Sequence, residues 1–183
     1  MFRGPVQEAW YGRGFTLMEL LIVLCVITLL ATVAVPNFRH VKAYFDVQGN
    51  SRQLVSVIAA AKTNAIRQGR FVAVCRRTDY ELSQCADRQI NSDGDWSIGW
   101  LLFVDMDDNQ LFNGGDHLIK EGLNTASGCE IFGRGDFLSF NPEGLLRGGG
   151  NGTFTVRCDK LEQKLIVNVI GRIRYGGITQ VEP

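Results

Sequence analysis

Between Phe15 and Val35 the chain carries one charge, Glu19, in an otherwise apolar run that begins directly after Gly14. At about 1.5 Å of rise per residue, a helix of that length covers roughly 30 Å, the thickness of a bilayer core. The run therefore predicts a helix able to span a membrane. A carboxylate inside such a helix costs on the order of 3 kcal/mol, which makes Glu19 a functional residue by default and calls for a cationic partner, most simply an amine. An ordinary secretory signal would have a shorter apolar core of roughly 7–15 residues and cleavage on its far side, where Thr32-Val33-Ala34 offers small residues. A plain membrane anchor would account for the hydrophobicity but not for the order of residues at its start. The flanking charges do not orient the segment, because Arg3 and Arg13 on one side are matched by Arg39 and Lys42 on the other.

That start reads Arg13-Gly14-Phe15-Thr16-Leu17-Met18-Glu19, a polar leader meeting the apolar run at a glycine. In this it resembles precursors of the type IV pilin and type II secretion pseudopilin superfamily. Pro36 also falls where helices of that superfamily often carry a proline. The resemblance implies that a prepilin peptidase cuts after Gly14 and methylates the new amino terminus at Phe15, so that Glu19 becomes the fifth mature residue. It implies further that Glu19 neutralises the terminal amine of a neighbouring subunit, a pairing that suits two charges neither of which lipid tolerates alone.

Of the five cysteines, Cys25 lies in the apolar run and reads as a small buried hydrophobe. The remaining Cys75, Cys85, Cys129 and Cys158 form an even set beyond a membrane segment, which points to two disulfides in an oxidising compartment such as a bacterial periplasm. Three connectivities are open. Cys75–Cys85 with Cys129–Cys158 is favoured, because the first pair closes a short local loop. No Cys-x-x-Cys occurs, and His40 and His117 lie near none of these cysteines in sequence, so a zinc site is not expected.

The 183-residue chain has as many acidic as basic residues, and loss of Arg3, Arg13 and Glu8 with the leader leaves it near −1. No global basic field draws in nucleic acid, so any polyanion site must be local. Apolar residues continue past Pro36 at spacings of three and four, through Tyr44, Leu54, Ile58, Ala61 and Ala65, as an amphipathic helix requires. Gly49-Asn50-Ser51 predicts a local irregularity in that helix, and Gln68-Gly69 its end. From Arg70 the pattern changes to short β-type runs at 71–75, 97–104, 117–120, 137–140, 153–158 and 164–175, read as one antiparallel sheet.

The expected fold is α+β, a long N-terminal helix packed on a C-terminal antiparallel sheet domain. Its division is a leader at 1–14, a membrane and assembly half-helix at 15–36, and a periplasmic domain at 37–183 with helix to 68 and sheet over 70–178. This domain most resembles those of FimT/FimU-like minor pilins and GspH-type minor pseudopilins. The carrying residues are Gly99-Trp100-Leu101-Leu102-Phe103-Val104-Asp105, Phe140-Asn141-Pro142-Glu143-Gly144 and Gly171-Arg172-Ile173-Arg174.

No Ser/His/Asp or Cys/His grouping offers a nucleophile with its base, so the chain reads as a non-enzyme without cofactor. Asp105, Asp107, Asn109, Asn113 and Asp116 take positions 1, 3, 5, 9 and 12 of a possible calcium loop. Gln110 stands where that loop needs glycine and Asp116 replaces its closing glutamate, so the segment is read as a solvated turn and no metal is expected. The glycine run at 147–152 lacks the Gly-Lys-Ser/Thr of a phosphate loop and reads as a hairpin tip.

In an extended strand Arg172 and Arg174 would emerge on one side, two planar forks suited to phosphate, between glycines that let the backbone bend. FimT-like minor pilins implicated in DNA uptake carry a similar Gly-Arg-x-Arg near the C terminus. The resemblance therefore implies double-stranded DNA binding at Gly171, Arg172 and Arg174, with Arg147 and Arg134 as helpers from neighbouring loops. The alternative is that the arginines decorate an edge strand and discourage its pairing with other chains. The implied partners are major and minor pilins, prepilin peptidase, DNA and the inner membrane. The implied course is single-pass insertion with a periplasmic domain, then passage into an extracellular pilus for natural transformation. The second reading is a GspH-type pseudopilin of type II secretion, or a pilus-priming subunit, that touches only other subunits.

Overall fold

The structure, a computed structural model, describes residues 15–81, 83–86, 94–124, 128–133, 135–148 and 152–181, the side chains of 33–37 excepted. One helix, α1 (Leu17–Gln68), is followed by β1 (Val72–Arg76), β2 (Gly99–Val104), β3 (His117–Leu123), β4 (Cys129–Gly133), β5 (Phe137–Phe140), β6 (Gly152–Cys158), β7 (Leu161–Val167) and β8 (Ile173–Gln180). Contacts divide the chain at His40/Val41.

In the first portion Thr16 opens the helix, its hydroxyl accepting the Glu19 amide at 3.2 Å and its carbonyl the Leu20 amide at 3.1 Å. This is how a threonine satisfies the unpaired amides of a first turn. Thr28 and Thr32 turn their hydroxyls back onto the carbonyls of Cys25 and Leu29, at 2.9 and 2.7 Å, so neither presents a free donor to an apolar surrounding. Every described side chain from Phe15 to Thr32 is exposed, Cys25 included, which corrects its reading as a buried residue. Among the described residues no helix is long and apolar enough to cross a membrane; the described side chains of the run stop at Thr32.

In the second portion the expected irregularity at Gly49 is absent. The Asn50 amide bonds the Asp46 carbonyl at 2.9 Å, and flanking pairs Lys42–Asp46 (2.5 Å) and Arg52–Gln48 (2.9 Å) support the same turns. The helix ends as expected, with Gly69 at φ 62° donating to the Ala65 carbonyl at 2.9 Å.

The single expected sheet is two antiparallel sheets of four strands, ordered β3-β2-β1-β5 and β4-β6-β7-β8. Ala43, Val47, Leu54, Ile58, Ala61 and Ala65 of α1 share one core with Val74, Leu102 and Phe140 of the first sheet and Phe154, Val156 and Leu165 of the second. The other face of β1 and β2 is also covered, by Phe112, Phe137 and Cys85 over Ala73, Cys75, Leu101 and Phe103. Two-sided burial explains why both strands are continuously apolar, whereas β6 and β7 alternate. The expected strand at 164–175 is two strands joined by a turn at 168–172, and β4 has no counterpart in the sequence reading.

Candidate functional site

The arginine motif lies on that turn, not wholly within a strand. The Gly171 amide donates to the Asn168 carbonyl at 2.8 Å and the Arg172 amide to the Asn168 side-chain oxygen at 2.8 Å, while the Asn168 amide returns to the Arg172 carbonyl at 3.0 Å. Gly171 sits at φ 71°, a left-handed conformation, and a Cβ there would come within 2.8 Å of the Phe140 ring, so glycine is required twice over. From α1 the Lys62 ammonium bonds the Ile170 carbonyl at 2.6 Å, and the Leu146 amide bonds the Val169 carbonyl at 2.8 Å. The turn is thus fixed from both sides.

Arg172 precedes β8, and Arg174 stands within it opposite Ile166 on the outer face of the edge strand. Both are exposed, and among the described residues neither guanidinium has an ion-pair partner. The spacing of two keeps both arginines on the exposed side, as expected, although only the second is in regular strand.

Arg147 is placed differently. Its guanidinium pairs with Asp108, lies 5.2 Å over the Phe71 ring, and meets the Gln110 amide oxygen at 3.1–3.2 Å once that oxygen is turned toward it. It is the counter-ion of the acidic loop. Arg134 and Gly14 lie outside the described residues.

In that loop carboxylate oxygens of Asp105, Asp107 and Asp116 lie within 4.8 Å of one another, the residues that could hold a cation. They are already engaged. Asp105 accepts the amides of Asn109 (3.1 Å) and Gln110 (2.9 Å), Asp116 those of Met106 (2.8 Å) and Asn113 (2.9 Å), and Asp107 the side-chain amides of Asn109 (2.7 Å) and Asn113 (3.0 Å). Burial raises the Asp105 carboxyl above its ordinary 3.8, against the pull of the two amides and with help from neighbouring Asp116 and Asp107. Gln110 adopts φ 67°, the conformation for which a glycine would have been expected.

Both favoured disulfides are present, Cys75–Cys85 and Cys129–Cys158. The second joins direct register partners on β4 and β6. Two ion pairs, each with one buried member, had no signal in the sequence: Arg76 with buried Asp136, and buried Arg77 with exposed Glu121 at 3.0 Å. Their partners lie 60 and 44 residues away, beyond the reach of spacing arguments.

Among known proteins, the family model of type II transport protein GspH matches residues 50–171. Pilin-like protein PilA1 of Thermus thermophilus is 25% identical over 178 residues, covering 88% of this chain and 97% of that one. Two crystal structures of the type IV minor pilin FimU of Pseudomonas aeruginosa share the fold at 15% identity. Their TM-scores are 0.56 and 0.52, and the alignments cover 73% and 71% of this chain and 90% and 92% of theirs.

Proposed function

This chain is a member of the GspH family of type II transport proteins, and on that premise we propose that it is a minor type IV pilin whose arginine turn holds DNA during natural transformation. The observation that carries the reading is the pair of exposed guanidiniums of Arg172, at the end of a turn fixed by Lys62, Asn168 and Leu146, and Arg174, near the start of β8, neither with an ion-pair partner among the described residues. Two forks on a rigid base meet phosphate without ordering a loop first. Arg147 joins them only by exchanging Asp108 for phosphate.

The apolar run at 15–35 holds the precursor in the inner membrane, prepilin peptidase frees and methylates Phe15, and Glu19 pairs with an incoming amine as the subunit enters the fibre beside other pilins. Mass spectrometry of the mature N-terminal peptide should give Phe15 with one methyl group. A start after Ala34 would mark ordinary signal cleavage and end the pilus reading.

Because the mature chain is near neutral and two arginines neutralise about two phosphates, binding is weak, sequence-independent and salt-sensitive, with a logarithmic slope of about −1.8. A fourfold rise in salt should weaken it about tenfold. In fluorescence anisotropy with the full chain in detergent, Arg172→Gln with Arg174→Gln should reduce binding of labelled duplex to background while Tm barely moves. Wild-type affinity in that double variant would show that Arg172 and Arg174 are not the clamp.

A second reading has its own support: the matched stretch ends one residue before Arg172, so the arginines fall outside what the family model describes. On that reading the chain is a pseudopilin or priming subunit that contacts only its neighbours, and the double variant binds DNA no differently because neither form binds.

A further inference from the structure

Arg147 leaves the main chain beside the arginine turn. The amide before it, that of Leu146, donates to the Val169 carbonyl at 2.8 Å, and its own amide donates to the Ser139 carbonyl at 2.8 Å. Its guanidinium is set by contacts that do not involve Asp108. The Phe71 ring lies 5.2 Å from it, and the Gln110 oxygen, turned toward it, accepts from Nε and Nη1 at 3.2 and 3.1 Å. Gln110 is itself buried, with its main-chain amide on Asp105 at 2.9 Å. A planar fork fixed on one edge and one face presents what remains of it to a carboxylate or a phosphate alike.

Asp108 takes that place in the free protein, its carboxylate pairing with Nη1 of Arg147 and its carbonyl oxygen lying 3.5 Å from the same nitrogen. The side chains of the pair are 39% and 41% exposed, so a phosphate can reach the guanidinium from solvent. An ion pair this exposed is a weak tie. Asp105, Asp107 and Asp116 are taken up by amides of the loop and do not compete for the guanidinium. The main chain at Asp108 stands at φ 59°, a left-handed conformation that aspartate and asparagine adopt more readily than most residues.

We infer that Asp108 occupies the seat of a DNA phosphate on Arg147, closing in the free protein a third phosphate contact beside Arg172 and Arg174. The inference rests on the DNA reading of the arginine turn and gives that site a built-in limit on its affinity. In the wild-type protein two arginines engage the duplex; with Asp108 displaced or neutralised, three do. Backbone phosphates recur about every 3.4 Å of helix axis on each strand, so a duplex seated on the turn has further phosphates alongside it.

The test measures binding of a labelled duplex to the full chain in detergent by fluorescence anisotropy across a salt series. Asp108→Asn keeps a residue suited to the left-handed main chain and removes the charge. It should bind about fivefold more tightly than wild type, the worth of one exposed ion pair, and steepen the logarithmic salt slope from about −1.8 to about −2.7. Asp108→Gly, which also suits φ 59°, should do the same, so the result does not hang on the folding of one variant. Adding Arg147→Gln to Asp108→Asn should cancel both changes. A gain that survives Arg147→Gln, or that comes without a steeper slope, would mark a general loss of negative charge and overturn the inference. Asp108→Asn with wild-type affinity and slope, while Arg172→Gln with Arg174→Gln abolishes binding, would overturn it and leave the DNA reading standing. No binding by either wild type or Asp108→Asn would remove both.

Discussion

Reducing both disulfides of the native chain is expected to unfold the β domain or bring it close to unfolding. The bridges close loops with sequence separations of 10 and 29 residues. By loop-closure entropy these are worth about 3 and 3.5 kcal/mol, together about 6.5 kcal/mol against the roughly 5–15 kcal/mol by which a domain is stable. The two act on different parts. Cys75 lies in the small core behind β1 and β2, and its bridge, with the Ala86 amide on the Arg76 carbonyl at 3.0 Å, ties Cys85 and Ala86 against β1. Cys129–Cys158 instead holds the edge strand β4 on β6. Paired serine variants should therefore separate, with loss of Cys129–Cys158 lowering Tm further because its loop is longer. Thermal melts with thiol titration decide it: an unchanged Tm when four free thiols are counted in the β domain would show that packing alone carries the fold.

The pairing was legible because one candidate loop was short, but the register that sets Cys129 opposite Cys158 was not, since β4 itself escaped notice. Its five residues, Cys129-Glu130-Ile131-Phe132-Gly133, sit between glycine-bearing segments and bury only Ile131 and Gly133 fully, too brief an alternation to register as a strand. The opposite error joined β7 to β8. Val169 and Ile170 keep the run apolar across what is a turn, and only Asn168 and Gly171 mark the reversal. The extent of the long helix was legible because its signals are local, the apolar run at its start, Gly69 at its end and spacings of three and four between, although the irregularity expected at Gly49-Asn50-Ser51 is absent. Division into two sheets was not, since strand order depends on contacts far apart in sequence. The same distinction governs the site. Arg172 and Arg174 are neighbours in sequence and remain neighbours in space. The engagement of Arg147 by Asp108, 39 residues away, required the tertiary structure.

Trp96→Ala should be the most damaging single substitution in the core, at about 3–5 kcal/mol. The side chain is 1% exposed and meets Phe154 edge to face, with ring centroids 5.3 Å apart. Gly133 leaves room for both, since a Cβ there would stand 2.9 Å from the Trp96 nitrogen and against the Phe154 ring. The main chain around Trp96 closes the second sheet as well: its amide donates to Ile131 at 2.7 Å and its carbonyl accepts the Asn124 side chain at 2.5 Å. Alanine would open a cavity and orphan the Gly135 carbonyl, so Tm should fall by on the order of 10–15 °C for a domain of this size. The informative comparison is with phenylalanine at each tryptophan. Trp96→Phe loses a made hydrogen bond and strands its acceptor, whereas Trp100→Phe deletes a donor that had no partner. The first should therefore lower Tm clearly and the second hardly at all. If Trp100→Phe proved as costly as Trp96→Phe, the Trp100 indole would have a hydrogen-bond partner in the free protein.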